Sequence, residues 1–423
     1  MSPSLTLLRV AWQSLLSRRL AATFVVVAVA VSTVLYLSVE RMREGARAGF
    51  ASTVSGTDLI VGARAGSVQL MLYSVFRIGS ATNNITWESA RDVAALPDVA
   101  WTVPLSLGDS HRGYRVVGTT PDYFDRYRYA RDRTLEFSRG KRFDDLFDVV
   151  VGAEVADALG YELGDRLVIA HGLGSAGLVL HDDLPFVLSG ILERTGTPVD
   201  RSVHVSLEAI TAIHVDWESG ARARRTTPAA VLRERAAAGT LEPDAITAML
   251  VGLDSRLAVF RTARAINDYA HEPLLAVLPG VALQELWSVL GVAERALSAV
   301  SAMVVLTAVI GLVATVLATL EQRRREMAVL RSLGARPATI GALLMLESGL
   351  LALLGVLVGA AVVLTVEPLV SGWLAARFGL DLVGGLSPRD AVVLSAIVAG
   401  ALLAALVPAW RASRMSAGEG LGG

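Results

Sequence analysis

Long uncharged runs alternate with ordinary mixed sequence along this chain. Four runs reach or approach the roughly 20 apolar residues that cross a hydrocarbon layer about 30 Å thick: residues 20–39, 296–320, 340–366 and 391–407. The first two carry no charge, the third carries only Glu347, and the fourth is the shortest, with Pro408 directly behind it. Read as a signal peptide, the first run is too long, because such apolar cores span about 7–15 residues and end at small residues. It leads instead into Glu40-Arg41-Met42-Arg43-Glu44, and an uncleaved anchor is expected. Ahead of it, Leu5, Leu8, Trp12, Leu15 and Leu16 recur at helical spacing, so residues 1–19 form either an amphipathic helix on the membrane surface or an extension of the span.

Arginine placement orients the runs, since basic residues are retained on the cytoplasmic side. Arg9, Arg18 and Arg19 precede the first span, Arg323, Arg324, Arg325, Arg331 and Arg336 lie between the second and third, and Arg411 and Arg414 follow the fourth. The stretch 367–390 has only Arg377 and Arg389, balanced by Glu367, Asp381 and Asp390. Both termini (1–19 and 408–423) and the 321–339 loop are therefore expected inside the cell, and 40–295 and 367–390 outside.

Residues 41–285 are enough for a domain with its own core. Strict alternation in 201–207 turns Val203, Val205 and Leu207 inward and His204 outward. Residues 148–151 and 166–170 are further strand candidates, and 86–96 and 153–159 helix candidates, stopped by Pro97 and Gly160. Residues 220–240 are poor in large apolar side chains and rich in arginine (Arg222, Arg224, Arg225, Arg233, Arg235), which predicts a solvated connector. Residues 40–50 and 283–295 look helical and continue the first two spans outward as a stalk. The fold class expected is α+β: four transmembrane helices with a large mixed α/β extracytoplasmic domain between the first and second.

Composition agrees, with 53% hydrophobic and 19% charged residues against about 45–50% and 25% in soluble domains. The net charge of −1 gives no attraction to nucleic acid. Lys141 is the single lysine among 39 basic residues, and it does not sit in a phosphate-binding loop. Without cysteine there is no disulfide or thiolate chemistry. His271-Glu272-Pro273 lacks the second histidine of a zinc-protease motif. All six histidines (His111, His171, His181, His204, His214, His271) fall in the outer domain, where a cluster can bind zinc or copper. A large polar domain also collects histidines without purpose, so no metal and no catalytic residue is assigned. Glu347 is the one ionisable group well inside a span, where such carboxylates mark ion pathways; a structural role, reaching the interface or pairing with an arginine of the preceding loop, is the reading adopted. Gly355 and Gly359 permit close helix packing.

The most informative stretch is 321–335, between the second and third runs. Met327, Leu330 and Leu333 share a helical face, Arg323, Arg324, Glu326 and Arg331 supply charge, and Gly334 with Pro337 stops the helix. Such a helix can dock in a groove of a cytoplasmic partner, or anchor two spans to anionic lipid. On Glu321, Arg323, Glu326, Leu330, Arg331, Gly334 and Ala335, then Glu347 and Gly355, the chain resembles the FtsX-like and MacB-like ABC transporter permease family, of lipoprotein-release and macrolide-exporter type. The closing Pro408-Ala409-Trp410-Arg411-Ala412-Ser413-Arg414 is similar to the family's C-terminal signature, and Ser14-Leu15 ahead of Arg18-Arg19 to its opening. In the outer domain Val117-Gly118-Thr119, Asp122-Tyr123-Phe124 and Gly164-Asp165 resemble the MacB-type periplasmic core.

The resemblance implies a bacterial inner-membrane permease that is not itself an enzyme. Two permeases, identical or different, would pair, and a separate cytoplasmic ABC ATPase carrying ATP and magnesium would grip the coupling helix formed by Arg323, Arg324, Glu326, Met327, Leu330, Arg331, Leu333 and Gly334. Closure of the ATPase would move the outer domain in export, lipoprotein release or mechanotransmission, with a periplasmic or outer-membrane partner. A regulator of cell-wall hydrolases is the alternative, though regulators of that kind carry smaller outer domains.

Overall fold

The computed structural model describes residues 9–410 apart from 10, 17, 131, 173–178, 219–220, 223–225, 323–334, 379–384 and 408. It divides into a helical unit (Met1–Gly45, Gly291–Leu374, Leu382–Gly423) and a sheet unit (Ala46–Leu290, Ala375–Asp381). The helices that frame the argument are α1 (Arg19–Ser52), α2 (Trp87–Ala94), α3 (Ala153–Leu159), α4 (Leu207–His214), α5 (Ala229–Ala237), α6 (Pro279–Gln322), α7 (Pro337–Phe378) and α8 (Pro388–Ala404).

Nine strands make the backbone of the sheet unit: β1 (Leu59–Ala63), β2 (Val99–His111), β3 (Tyr114–Thr119), β4 (Phe137–Gly140), β5 (Asp148–Val151), β6 (Phe186–Leu192), β7 (Ser202–Ser206), β8 (Ala248–Leu253) and β9 (Leu274–Val277). They run in the order β9-β1-β8-β2-β3-β7-β5-β6-β4 within a 12-stranded sheet. The β3–β7 and β5–β6 pairs are parallel and the rest are antiparallel.

Both faces of this sheet are covered, and the alternation of side chains sorts them into layers. Ile60, Val103, Leu105, Val117, Val150, Ala248 and Leu250 share one cluster with Tyr123 and Phe124. Their strand neighbours Val116, Val149, Val151, Val203 and Val205 face a second cluster around α3 and α4. Leu59, Val61, Met249, Val251 and Leu274 face a third, with Ile85 and Val93. Buried on both sides, β1 and β7 have no exposed residue at all.

Short polar side chains and a glycine set the helix ends. The Thr86 hydroxyl accepts from the Ser89 N–H (3.2 Å) to open α2, and the Ser206 hydroxyl accepts from the Ala209 N–H (3.1 Å) to open α4, each occupying a donor that a first helical turn leaves over. Gly160 ends α3 with φ of 67°, a left-handed position that suits glycine. Strands form at Asp148–Val151, Arg166–Leu167 and Ala170–His171.

Two expectations for the sheet unit fail. His204 does not face water: it is completely buried, its ring 5.3 Å from that of Tyr123. Alternation in β7 separates two faces but does not say that either is wet, and here each meets a core. Nor is 220–240 only a connector: Trp217–Glu218 pairs with Ala221–Arg222, and α5 follows, with Leu232 fully buried. A run of alanines has strong helical preference, and one leucine suffices to seat it.

In the helical unit, Arg19–Gly45 and Pro337–Leu374 are the two helices among the described residues long and apolar enough to cross a membrane. The run 296–320 lies in α6, whose apolar segment Arg295–Gly311 is shorter, and 391–407 coincides largely with the 17-residue α8. α1 and α6 are each continuous, through 40–52 and from 279 respectively.

Candidate functional site

The helical unit is built on close contact between α1 and α7. A side chain on Gly355 would put its Cβ 2.6 Å from Val29 Cβ and 3.0 Å from the Val26 carbonyl oxygen. On Gly359 it would come within 2.7 Å of the Ala30 carbonyl oxygen and of Thr33. The two glycines therefore let the helix backbones touch, in the manner of small residues four apart. Glu347, on the same helix, is 7% exposed. Val25, Leu351, Ala352 and Ala401 extend the packing to α8.

At the other end of these helices a guanidinium is buried among carboxylates. Arg41 of α1, 4% exposed, donates to Asp390 Oδ2 of α8 at 3.1 Å and lies 3.9 Å from Glu367 of α7 and 3.7 Å from Glu44. Asp390 is also the third residue of a capping box with Ser387, accepting from the Ser387 N–H at 2.8 Å. Desolvation offsets much of the Coulomb attraction in such a group, so its net contribution to stability is small next to its effect on helix register. Sequence reasoning used Arg41 only as part of the charged stretch behind an uncleaved anchor, and Glu367 and Asp390 only as markers of orientation. Their signal was that all three stand at span ends assigned to the same side of the membrane.

The coupling residues Arg323, Arg324, Glu326, Met327, Leu330, Arg331, Leu333 and Gly334 lie outside the described residues.

In the sheet unit the six histidines separate into two kinds. His111 bonds the Val168 carbonyl and the Tyr161 hydroxyl, both at 2.7 Å, and burial lowers its pKa. His204 is in the core, and exposed His271 stacks near Tyr269. His171, His181 and His214, by contrast, come together with Asp109, their donor atoms all within 4.8 Å of one another. β2 supplies Asp109, and the strand Ala170–His171 sets His171 directly across from it. α4 ends at His214, and His181 follows the strand Val179–Leu180. A hydrogen bond to Asp109 raises the His171 pKa, while burial, then the His214 charge, lowers that of His181. No local motif marks this cluster, because its members are joined only by strand pairing and by where α4 stops.

The chain matches two families, one described as MacB-like periplasmic core domain over residues 20–249, the other as FtsX-like permease C-terminal over 298–417. It is 23% identical over 373 residues to the macrolide export ATP-binding/permease protein MacB of Nitrobacter winogradskyi, covering 85% of this chain and 53% of that one. The chain thus spans about half the length of the curated relative it matches. Among solved structures, the periplasmic region of MacB from Actinobacillus actinomycetemcomitans aligns over 55% of this chain and 94% of its own at 10% identity, with a TM-score of 0.34. The extracellular domain of the noncanonic ABC-type transporter YknZ from Gram-positive bacteria aligns over 52% and 99% at 12% identity, with a TM-score of 0.30.

Proposed function

The chain belongs to the MacB-like periplasmic core domain family and carries an FtsX-like permease region behind that domain, and on that premise we propose that it converts ATP hydrolysis by a cytoplasmic ABC ATPase into movement of its sheet unit outside the membrane. The observation that carries the reading is the pairing of these two matches with an arginine-rich stretch, 321–335, set between apolar runs of the sequence. Residues 1–423 hold one lysine and no phosphate-binding loop, so ATP and magnesium are assigned to an ABC ATPase outside these residues.

In this reading four segments span the inner membrane (20–39, 296–320, 340–366, 391–407), both termini are cytoplasmic, and two permeases form a dimer, identical or not. The meeting of Arg41, Glu367 and Asp390 supports that topology, since it needs α1 and α7 to run in the same sense and α8 in the opposite one. Glu347, Gly355 and Gly359 serve helix packing, and the segment 323–334 serves the ATPase. The work done is export, lipoprotein release or mechanical signalling, with an envelope protein as the further partner.

Purification of the protein from native membranes in mild detergent tests this. An ABC ATPase should come with it, and Arg331→Glu should remove most of the permease-stimulated ATP hydrolysis while leaving the protein in the membrane. Stimulation unaffected by Arg331→Glu, or protease digestion of the sheet unit from the cytosolic face of sealed vesicles, would refute it.

A further inference from the structure

Among its described residues the sheet unit holds one cluster that the permease reading does not use. His171 Nδ1 lies 3.1 Å from Asp109 Oδ1 and 3.1 Å from His214 Nε2, and His214 Nε2 lies 3.8 Å from Asp109 Oδ1. His181 completes the group, its ring centroid 5.2 Å from that of His214.

The His214 ring has a fixed proton. Its Nδ1 is 2.7 Å from the Ile210 carbonyl oxygen, which can only accept, so Nδ1 carries the hydrogen. In the neutral ring Nε2 is then a lone pair aimed at His171. His171 Nδ1 therefore faces two acceptors at equal distance, and a single proton serves them poorly. A cation between them satisfies all three atoms at once. A histidine that gives its other ring N–H to a backbone carbonyl is also the usual arrangement around a bound metal.

We propose that Asp109, His171, His181 and His214 bind one zinc ion. With bonds of 2.0–2.2 Å, a tetrahedral zinc site holds its donor atoms about 3.3 Å apart; the separations among His171, His214 and Asp109 bracket that value, and all four donors lie within 4.8 Å of one another. Three imidazoles and one carboxylate, with no thiolate, suit zinc and not magnesium or calcium. Four protein ligands make a closed, structural site. The ion would tie β2, the strand Ala170–His171, the residue after Val179–Leu180 and the end of α4 into one knot. Asp109 (4% exposed) and His181 (1%) form its floor, and His171 (61% side-chain exposure) opens it to solvent.

The test is zinc titration of the full chain in detergent, without an affinity tag and with magnesium present, read by competition with a chromophoric chelator and by thermal unfolding. One zinc per chain should bind with Kd at or below about 1 µM, and zinc should raise the unfolding temperature. His171→Ala, at an exposed position, should weaken binding about 100-fold and abolish the thermal shift. Asp109→Asn keeps the shape and should do the same, so that misfolding of one variant leaves the other to decide. His271→Ala, outside the cluster, should bind as wild type. No binding by the wild-type chain at about 10 µM free zinc, or wild-type affinity in both ligand variants, overturns the assignment.

Discussion

His204 shows how much one side chain can weigh on this fold. Its ring packs among Tyr123 (5.3 Å) and Phe124 (6.0 Å), and neither nitrogen makes a well-formed hydrogen bond. Burial first, then the charge of Arg77, lowers its pKa to about 3, against a smaller opposing pull from the Val150 backbone. The folded protein thus keeps this ring neutral, while the unfolded chain protonates it below about pH 6.5. The unfolded state binds more protons in that window, so stability drops as pH falls from 6.5 toward 3. At pH 5 the loss from this one group is about 2 kcal/mol. His204→Phe should remove that part of the acid sensitivity, seen as a shallower fall of unfolding temperature between pH 7 and 5 than in wild type. An equal fall in both proteins would refute the assignment. Sequence patterning placed His204 on the wet face because period-two alternation is local, whereas the core that covers that face of β7 is built by Tyr123, Phe124 and Val150 from elsewhere in the chain.

Among the elements, α7 depends most on two missing side chains. Gly359→Ala forces a Cβ against a backbone oxygen of α1, which cannot move as a side-chain tip can. The cost should be about 1–3 kcal/mol, the usual range for overpacking. Gly400→Ala in α8 meets nothing within 4 Å and should stabilise its helix by about 0.5–1 kcal/mol. Thermal unfolding of the detergent-solubilised variants checks both, and equal effects would mean that α1 and α7 do not touch at Gly359. Elements with local punctuation were legible in advance: α3, closed by Gly160, and α2, opened by Thr86, occupy nearly the predicted residues. α5 was not, because its helix rests on alanine preference and one buried leucine, which a count of large apolar residues overlooks. The histidine cluster was illegible for a different reason: Asp109 and His171 meet only through the register of β2 with its neighbour, and spacing along the chain carries no trace of that. The segment 323–334 was read as helical from its charge and spacing and as a coupling helix from the family resemblance, and it lies outside the described residues.

For the molecule as a whole, the way the helices join the sheet sets how the outer unit can respond. α1 ends at Ser52, shortly before β1 begins, and α6 starts at Pro279, just after β9 ends. β1 and β9 are antiparallel neighbours, with Ile60 opposite Val277 at the end where both helices attach. Tension that separates the two helices would reach this ladder as an unzipping load, opening its rungs one after another instead of shearing them together. Among the described residues β9 stands at the margin of the sheet and pairs with β1 alone, so it would peel first and leave the ladder between β1 and β8 intact. The chain has no cysteine of its own, so a disulfide between Ile60→Cys and Val277→Cys would act alone as a rivet at that seam. Oxidation of this variant should suppress permease-dependent ATP turnover and reduction restore it, while indifference to the rivet would mean the seam never opens. By this wiring a pull on the two helices would fall first on the seam between β9 and β1.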